Sequence, residues 1–131
     1  MKLLKYLLFT CIAVFFAQEA KSQSIPKEIV TATQKGNASD LAKFFNEKVE
    51  LTLPSKSGVF SKEQAQFIIS DFFTNNRPVS FQINHEGKRD NSSYAIGSYV
   101  SGKEKFRFYF LTKVIDNKTV IIQIRIDKQD E

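Results

Sequence analysis

The sequence is poor in the residues that build most catalytic and metal centres. It contains no tryptophan, one cysteine, one methionine and one histidine in 131 residues. A single cysteine excludes a disulfide framework and a cysteine-based zinc site, and a single histidine excludes a multi-histidine metal centre. The sequence also lacks a glycine-rich phosphate loop and a recognisable nucleophile motif. We therefore expect neither a metal nor a cofactor.

What remains is the composition of an ordinary globular protein. Apolar residues make up 42% of the chain and charged residues 25%, with 13 phenylalanines. This balance and the length of the chain predict one folded domain with a core of its own.

The first 22 residues have the pattern of a secretory signal peptide. Lys2 and Lys5 precede a 12-residue apolar run, Tyr6–Ala17, and small residues follow at Ala20 and Ser22. The run is too short to cross a bilayer but suits a signal peptide. The sequence therefore predicts a signal peptide over 1–22, a single domain over 23–131, and a secreted or periplasmic protein.

Two alternatives to this prediction are a lipoprotein modified at Cys11 and an uncleaved anchor. Both are disfavoured, the first because the residues before Cys11 are bulky and most of the apolar run follows it. Cleavage near Ser22 would remove three lysines, one glutamate and the cysteine, so the net charge falls from +5 to about +3. So small a charge gives no reason to expect nucleic acid or, after cleavage, a membrane as a partner.

Helices are predicted in the first half of the remaining chain. Pro26 opens a first helix that Gly36 ends, and Asn37 caps a short second helix presenting Leu41, Phe44 and Phe45. A brief strand follows at Val49–Leu53. A capping box at Ser61–Gln64 then opens a long third helix. Its apolar residues follow the pattern of one helical face and are Ala65, Ile68, Ile69, Phe72 and Phe73.

Strands are predicted in the second half, at Val79–Glu86, Tyr94–Ser101, Lys105–Ile115 and Thr119–Asp127. The connections are short and turn-like, so they predict an antiparallel meander. Centring the turns on Asn117 and on Gly102-Lys103 places Phe110 opposite Ile124, Thr112 opposite Ile122 and Tyr99 opposite Phe106. Extended through the first loop, the register places His85 beside Ala95, and these pairings fix which residues share a face. The inward face then comprises Phe81, Ile83, His85, Ala95, Gly97, Tyr99, Phe106, Phe108, Phe110, Ile122, Ile124 and Ile126. Because this face is large and apolar, the helices are expected to cover it.

The inward face also supplies a predicted ligand pocket. Its lining residues are Phe81, Ile83, His85, Gly97, Tyr99 and Phe108. The small residue Gly97 opposite Phe108 could leave a cavity, although small residues opposite large ones also interlock in solid cores. His85 and Tyr99 are the polar candidates for catalysis there, as base and proton donor. The simpler interpretations are a strand-end histidine and a core-edge tyrosine whose hydroxyl reaches water.

The opposite face is predicted to be unusually apolar for a solvated surface. Its cluster comprises Tyr94, Ile96, Tyr109, Leu111, Ile121 and Arg125. Aromatic residues together with arginine are typical of protein contacts, so this face is a predicted interface for a homodimer or another protein partner. Arg107 and Asp127 come out opposite each other, which predicts a cross-strand ion pair.

Several stretches of the chain resemble a family of small secreted bacterial proteins classed as a domain of unknown function. They are Gly36–Ala38, Leu41–Phe45, Gly58–Lys62, Gln64-Ala65, Asp71–Phe73, His85–Gly87, Tyr94–Gly97 and Gln123–Ile126. The order of elements is also similar to that of the cone-shaped nuclear transport factor 2-like fold. The resemblance implies an α+β fold with N-terminal helices packed on a curved antiparallel sheet, and it implies export. It assigns no catalytic residue, since that fold serves many functions.

Two classes of function remain. The favoured one is a non-enzymatic binding domain, which would take a small apolar ligand in the cone or a protein partner on the outer sheet face. The alternative is an enzyme of isomerase or hydrolase type that uses His85 and Tyr99.

Overall fold

The structure is a computed structural model that describes residues 24–130. The predicted signal peptide and its cleavage site lie outside the described residues. Helices α1, α2 and α3 span Lys27–Lys35, Ala38–Ala42 and Lys62–Asn75. The strands are β1 (Phe45–Leu53), β2 (Lys56–Ser61), β3 (Ser80–Arg89), β4 (Ser92–Ser101), β5 (Glu104–Ile115) and β6 (Lys118–Gln129).

The helix boundaries follow from local signals in the sequence. Helix α1 ends at Gly36, which adopts the left-handed conformation that glycine tolerates best. Helix α2 begins where the side chain of Asn37 accepts a hydrogen bond from the Asp40 amide. Helix α3 begins with the full capping box between Ser61 and Gln64. The end of α1 and the beginnings of α2 and α3 agree with the prediction.

The six strands form one curved sheet whose order is β2-β1-β6-β5-β4-β3. Every neighbouring pair is antiparallel except β1 and β6, which run parallel. The helices cover one face, and a single core forms between them and the sheet. The predicted α+β architecture is confirmed.

Two parts of the first half differ from the prediction. Phe45 does not continue α2 but begins β1, because the chain turns after Lys43 and Phe45 pairs with Ile121. Strand β2 was not predicted at all. Its sequence, Lys56–Ser61, has the composition of a turn, and the strand forms because it pairs with β1 along its whole length.

The predicted registers are correct along the whole β4–β5 pairing and, for β3–β4 and β5–β6, along the part of each strand that lies away from the connecting turn. Tyr99 pairs with Phe106, Gly97 with Phe108 and Phe110 with Ile124. The face that these residues share is buried against the helices. Alternation therefore places most of the core correctly.

Two irregularities change the assignment of faces between these correctly predicted parts and the turns. Between Ile83 and His85 the register of β3 against β4 shifts, so His85 pairs with Ile96 and not with Ala95. Thr112 pairs with Ile121 and not with Ile122, because β5 and β6 shift register in the same way. An extra residue in β3 and another in β6 place the side chains between the shift and the turn on the face opposite to the one that unbroken alternation predicts. His85 is consequently exposed, Ile122 is only partly buried and Ile121 is fully buried.

Candidate functional site

The inward face of the sheet is closed by a cluster of aromatic rings. The Tyr99 and Phe108 rings stack with centroids 4.7 Å apart. Phe72, from α3, packs its ring 5.0 Å from Phe106 and 5.7 Å from both Tyr99 and Phe108. The remaining members of this inner ring cluster are Phe73, Phe81 and Phe110. All seven side chains are buried.

The space predicted beside Gly97 is occupied by another side chain of the cluster. A Cβ atom at Gly97 would lie 2.6 Å from the Phe81 ring and 2.8 Å from the Gln82 carbonyl oxygen. The absence of a side chain at Gly97 therefore admits Phe81 and does not leave a cavity. Of the six predicted pocket residues, Phe81, Gly97, Tyr99 and Phe108 pack tightly together, Ile83 is half-buried, and His85 lies elsewhere.

Tyr99 is held by a hydrogen bond inside this cluster. Its hydroxyl donates to the backbone carbonyl oxygen of Asn76, just beyond the end of α3. Burial raises the pKa of Tyr99 well above the usual tyrosine value, and the nearby charge of Arg77 opposes this shift. The side chain is fully buried, so the expectation that its hydroxyl reaches water is wrong.

His85 lies on the opposite face of the sheet from Tyr99. Residues directly paired across antiparallel strands point to the same side, and His85 pairs with Ile96. Ile96 is flanked in sequence by Ala95 and Gly97, which are both buried on the inward face. The sheet itself therefore separates His85 from Tyr99, so the two do not form the predicted catalytic pair.

The outward face carries a stack of two tyrosines. The Tyr94 and Tyr109 rings lie 6.3 Å apart and within 18° of parallel. Tyr94 also covers Gly87, where an added Cβ would come within 2.4 Å of its ring. Ile96 and Leu111 extend the apolar surface, and Tyr94 remains 39% exposed. We call Tyr94, Ile96, Tyr109 and Leu111 the outer cluster.

Charged side chains border the outer cluster on β5 and β6. A shallow depression of about 510 Å³ is lined by Ile96, Arg107, Tyr109, Gln123, Arg125 and Asp127. Arg107 does lie opposite Asp127 in the ladder, as predicted. The ion pair nevertheless forms along one strand, with Arg125 Nε 3.0 Å from Asp127 Oδ2.

Five of the six predicted interface residues lie together on this face. Tyr94, Ile96, Tyr109 and Leu111 form the outer cluster, and Arg125 lies at its border. Ile121 does not belong there, because the register shift turns it into the core, where it is fully buried.

Sequence reasoning overlooked a second exposed apolar surface, beside β2. Phe67 is 75% exposed and Val59 is 66% exposed. Phe67 directly precedes Ile68 but falls on the polar side of α3. A large aromatic residue off the apolar stripe was the signal that could have revealed it.

Two features are absent from residues 24–130. No group of three or more histidine, cysteine, aspartate or glutamate residues could hold a metal ion there. The helices of this region are also all too short or too polar to cross a membrane.

The fold belongs to the nuclear transport factor 2-like class. A nuclear transport factor 2-like protein of unknown function from Silicibacter pomeroyi superposes with a TM-score of 0.56 at 10% identity, over 79% of this chain and 88% of that chain. This likeness concerns the fold alone.

The family to which the chain belongs is identified by similarity in sequence as well as in fold. The model of the family described as "Domain of unknown function (DUF4783)" matches residues 26–127. A DUF4783 protein of Bacteroides ovatus is 37% identical, with a TM-score of 0.79 over 84% of this chain and 100% of that chain. A DUF4783 protein of Bacteroides uniformis is 38% identical, with a TM-score of 0.78 over 82% of this chain and 99% of that chain. The chain belongs to the DUF4783 family. No curated protein matches its sequence.

Proposed function

We propose that this chain is an exported, non-enzymatic interaction module that pairs with a second copy of itself through the outer cluster. The observation that carries the proposal is the contrast between a closed inward face and a half-exposed stack of tyrosines on the outward face. The proposal includes export to the periplasm or beyond, for which the pattern of residues 1–22 is the support.

The packing of the inward face argues against the other two functions. A small apolar ligand in the cone would have to displace the Phe81 ring from Gly97 or separate the stacked rings of Tyr99 and Phe108. An enzyme using His85 and Tyr99 would need both side chains on one face of the sheet. Because the inward face is filled and His85 and Tyr99 lie on opposite faces, the outward face is the better candidate site.

The outward face is large enough for a stable pair. Strands of ten residues are about 33 Å long, and four strands spaced about 4.8 Å apart are about 19 Å wide. Their projected area is therefore about 600 Å², and side-chain relief increases the accessible area. Stable interfaces bury about 800 Å² on each partner, so the face is of the right size.

The charges on this face suit pairing with an identical surface. The depression presents two cations, Arg107 and Arg125, and the anion Asp127. A two-fold axis presents the same patch on both subunits, so a contact between two different residues occurs twice, once in each direction. An arrangement that places the Arg107 side chains against the Asp127 carboxylates, with tyrosines packed between them, satisfies both charge and apolar contact.

Native mass spectrometry of the protein purified from the periplasm of an expressing host tests the proposal. We expect twice the chain mass for the native protein and the single-chain mass for Leu111→Lys, because a lysine in the outer cluster places an uncompensated charge at the centre of the contact. The matched control is Val79→Lys. Val79 is 72% exposed and lies outside the outer cluster, so this variant should remain a dimer.

A native protein that has the single-chain mass at all concentrations would overturn the proposal. A circular dichroism spectrum of Leu111→Lys that matches the native one ensures that loss of the dimer is not loss of the fold.

A further inference from the structure

Strand β2 forms one edge of the sheet, and its free side is open. Within the described residues nothing pairs with the side of β2 that faces away from β1. The residues from Lys56 to Val59 are all exposed. The free side of an edge strand presents backbone N–H and C=O groups that can accept another strand.

The opposite edge of the sheet is irregular, whereas β2 is regular. Strand β3 has a register shift between Ile83 and His85 and ends in the charged residues Lys88 and Arg89. Irregular pairing and charge are the usual means by which proteins protect an edge. Strand β2 pairs regularly with β1 over all six residues. An added strand would therefore meet a regular partner only at β2.

An apolar groove lies beside this open edge, between β2 and α3. It has a volume of about 330 Å³ and is lined by Lys56, Phe60, Glu63, Gln64, Phe67 and Ile68. A smaller depression of about 160 Å³ continues it past Phe67 towards Asp71. The Phe67 ring therefore stands between the two depressions, where it could contact a side chain of an added strand.

The charges along the α3 side of the groove are arranged regularly. Glu63, Phe67 and Asp71 are four residues apart, so they follow one face of the helix. Asp71 follows Glu63 by eight positions, which correspond to about 12 Å along the helix. In an extended peptide, side chains four residues apart on one face are about 13 Å apart. Among residues 24–130, the one cation that lines the groove is Lys56, whose Nζ lies over the Phe60 ring on the strand side, 5.8 Å from its centroid.

We propose that the edge of β2 and this groove bind an extended segment of a partner protein in which an apolar residue has a basic residue two positions to either side. The backbone of the segment pairs with β2. Its apolar side chain packs against Phe67, and its two cations lie beside Glu63 and Asp71. This surface is separate from the outer cluster, so it does not depend on self-association.

The test uses two capped pentapeptides and the ¹⁵N-labelled purified protein. Both peptides have phenylalanine at the centre and threonine on either side of it. One has lysine at both ends and the other has glutamate. We expect the lysine peptide to shift the amide signals of β2 and α3. The glutamate peptide should bind about tenfold more weakly, because two exposed attractions become repulsions.

Protein variants identify the groove. Phe67→Ser should weaken binding of the lysine peptide by about tenfold, since an aromatic contact is lost. The matched control Val79→Ser removes an equally exposed apolar residue elsewhere and should leave binding unchanged. The double variant Glu63→Lys, Asp71→Lys should reverse the preference and bind the glutamate peptide more tightly.

Three results would overturn this proposal. They are equal binding of the two peptides, signal shifts confined to β4, β5 and β6, and loss of binding in Val79→Ser as large as in Phe67→Ser. An unchanged amide spectrum in each free variant shows that the fold is intact.

Discussion

The two faces of the same four strands are covered to different extents. On the inward face, neighbouring strands contribute Phe81, Tyr99 and Phe108, whose rings interlock and exclude water. On the outward face, Tyr94 and Tyr109 also stack, but Tyr94 remains partly exposed. Aromatic residues alone therefore do not indicate a core. What differs is whether another layer of the protein covers them.

The sharpest test of this comparison uses neighbouring residues on opposite faces. Phe108→Ala should lower the free energy of unfolding by about 3–5 kcal/mol, because it opens a cavity within the inner ring cluster. Tyr109→Ala should cost only about 1 kcal/mol, since its ring is half-exposed. Urea denaturation of the two variants measures both free energies. Both variants are measured at the same low protein concentration, so that self-association does not add to the apparent stability.

Self-association should be lost in the variant that is less destabilised and kept in the variant that is more destabilised. Sedimentation of Tyr109→Ala is expected to show a monomer, whereas any folded Phe108→Ala should remain paired. Similar losses of stability in the two variants would mean that the faces are not distinct.

Two glycines provide a smaller and more specific comparison. Gly97→Ala should cost about 1–3 kcal/mol, because the added methyl meets the buried Phe81 ring and a backbone carbonyl. Gly87→Ala should cost less, because the methyl meets only the Tyr94 ring, which can move towards solvent. Thermal unfolding monitored by circular dichroism ranks the two variants.

The displaced tyrosine has a second consequence. Gly87→Ala should also weaken the dimer, since the Tyr94 ring would leave its stacked position on Tyr109. A Gly87→Ala protein with native dimer affinity would show that the tyrosine stack is not part of the contact.

The smallest effect concerns the buried hydroxyl. Tyr99→Phe should cost about 1 kcal/mol at pH 7, because the carbonyl of Asn76 loses its donor. The folded state raises the pKa of Tyr99, so this tyrosine ionises first in the unfolded chain. Its contribution to stability is thus complete below about pH 10 and is lost as the pH rises further.

The difference in unfolding free energy between the native protein and Tyr99→Phe should therefore shrink above about pH 10. Denaturation at pH 7, 9 and 10.5 measures it. If the difference stays constant across this range, Tyr99 does not retain its proton in the folded state.

Local signals explain how much of the fold could be predicted. The capping residues Asn37 and Ser61 and the stop at Gly36 act through hydrogen bonds and backbone conformation within a few residues. Alternation along β4 and β5 likewise placed Tyr99, Phe108 and Tyr109 on their correct faces. These features depend on short stretches of chain, which a single sequence displays directly.

The errors arise where backbone pairing with the neighbouring strand departs from simple alternation. The segment from Val120 to Ile124 is apolar at four of five positions, so alternation could not decide whether Ile121 or Ile122 faces the core. Near His85 the residues are mostly polar, so nothing marked the extra residue in β3. The predicted catalytic pair was lost for this reason, and the pocket because the Phe81 ring fills the space at Gly97.

The sequence by itself determined the three helices, the four-strand meander and the existence of two chemically distinct faces. These follow from hydrogen bonding and hydrophobic periodicity over neighbouring residues. Only the tertiary structure decided the pairing of β1 beside β6, the formation of β2, the two register shifts and the filling of the cone. The β1–β6 pairing and the filling of the cone depend on contacts between residues far apart in the chain. The formation of β2 and the two register shifts depend on backbone pairing with a neighbouring strand, whose geometry the pattern of side chains does not encode.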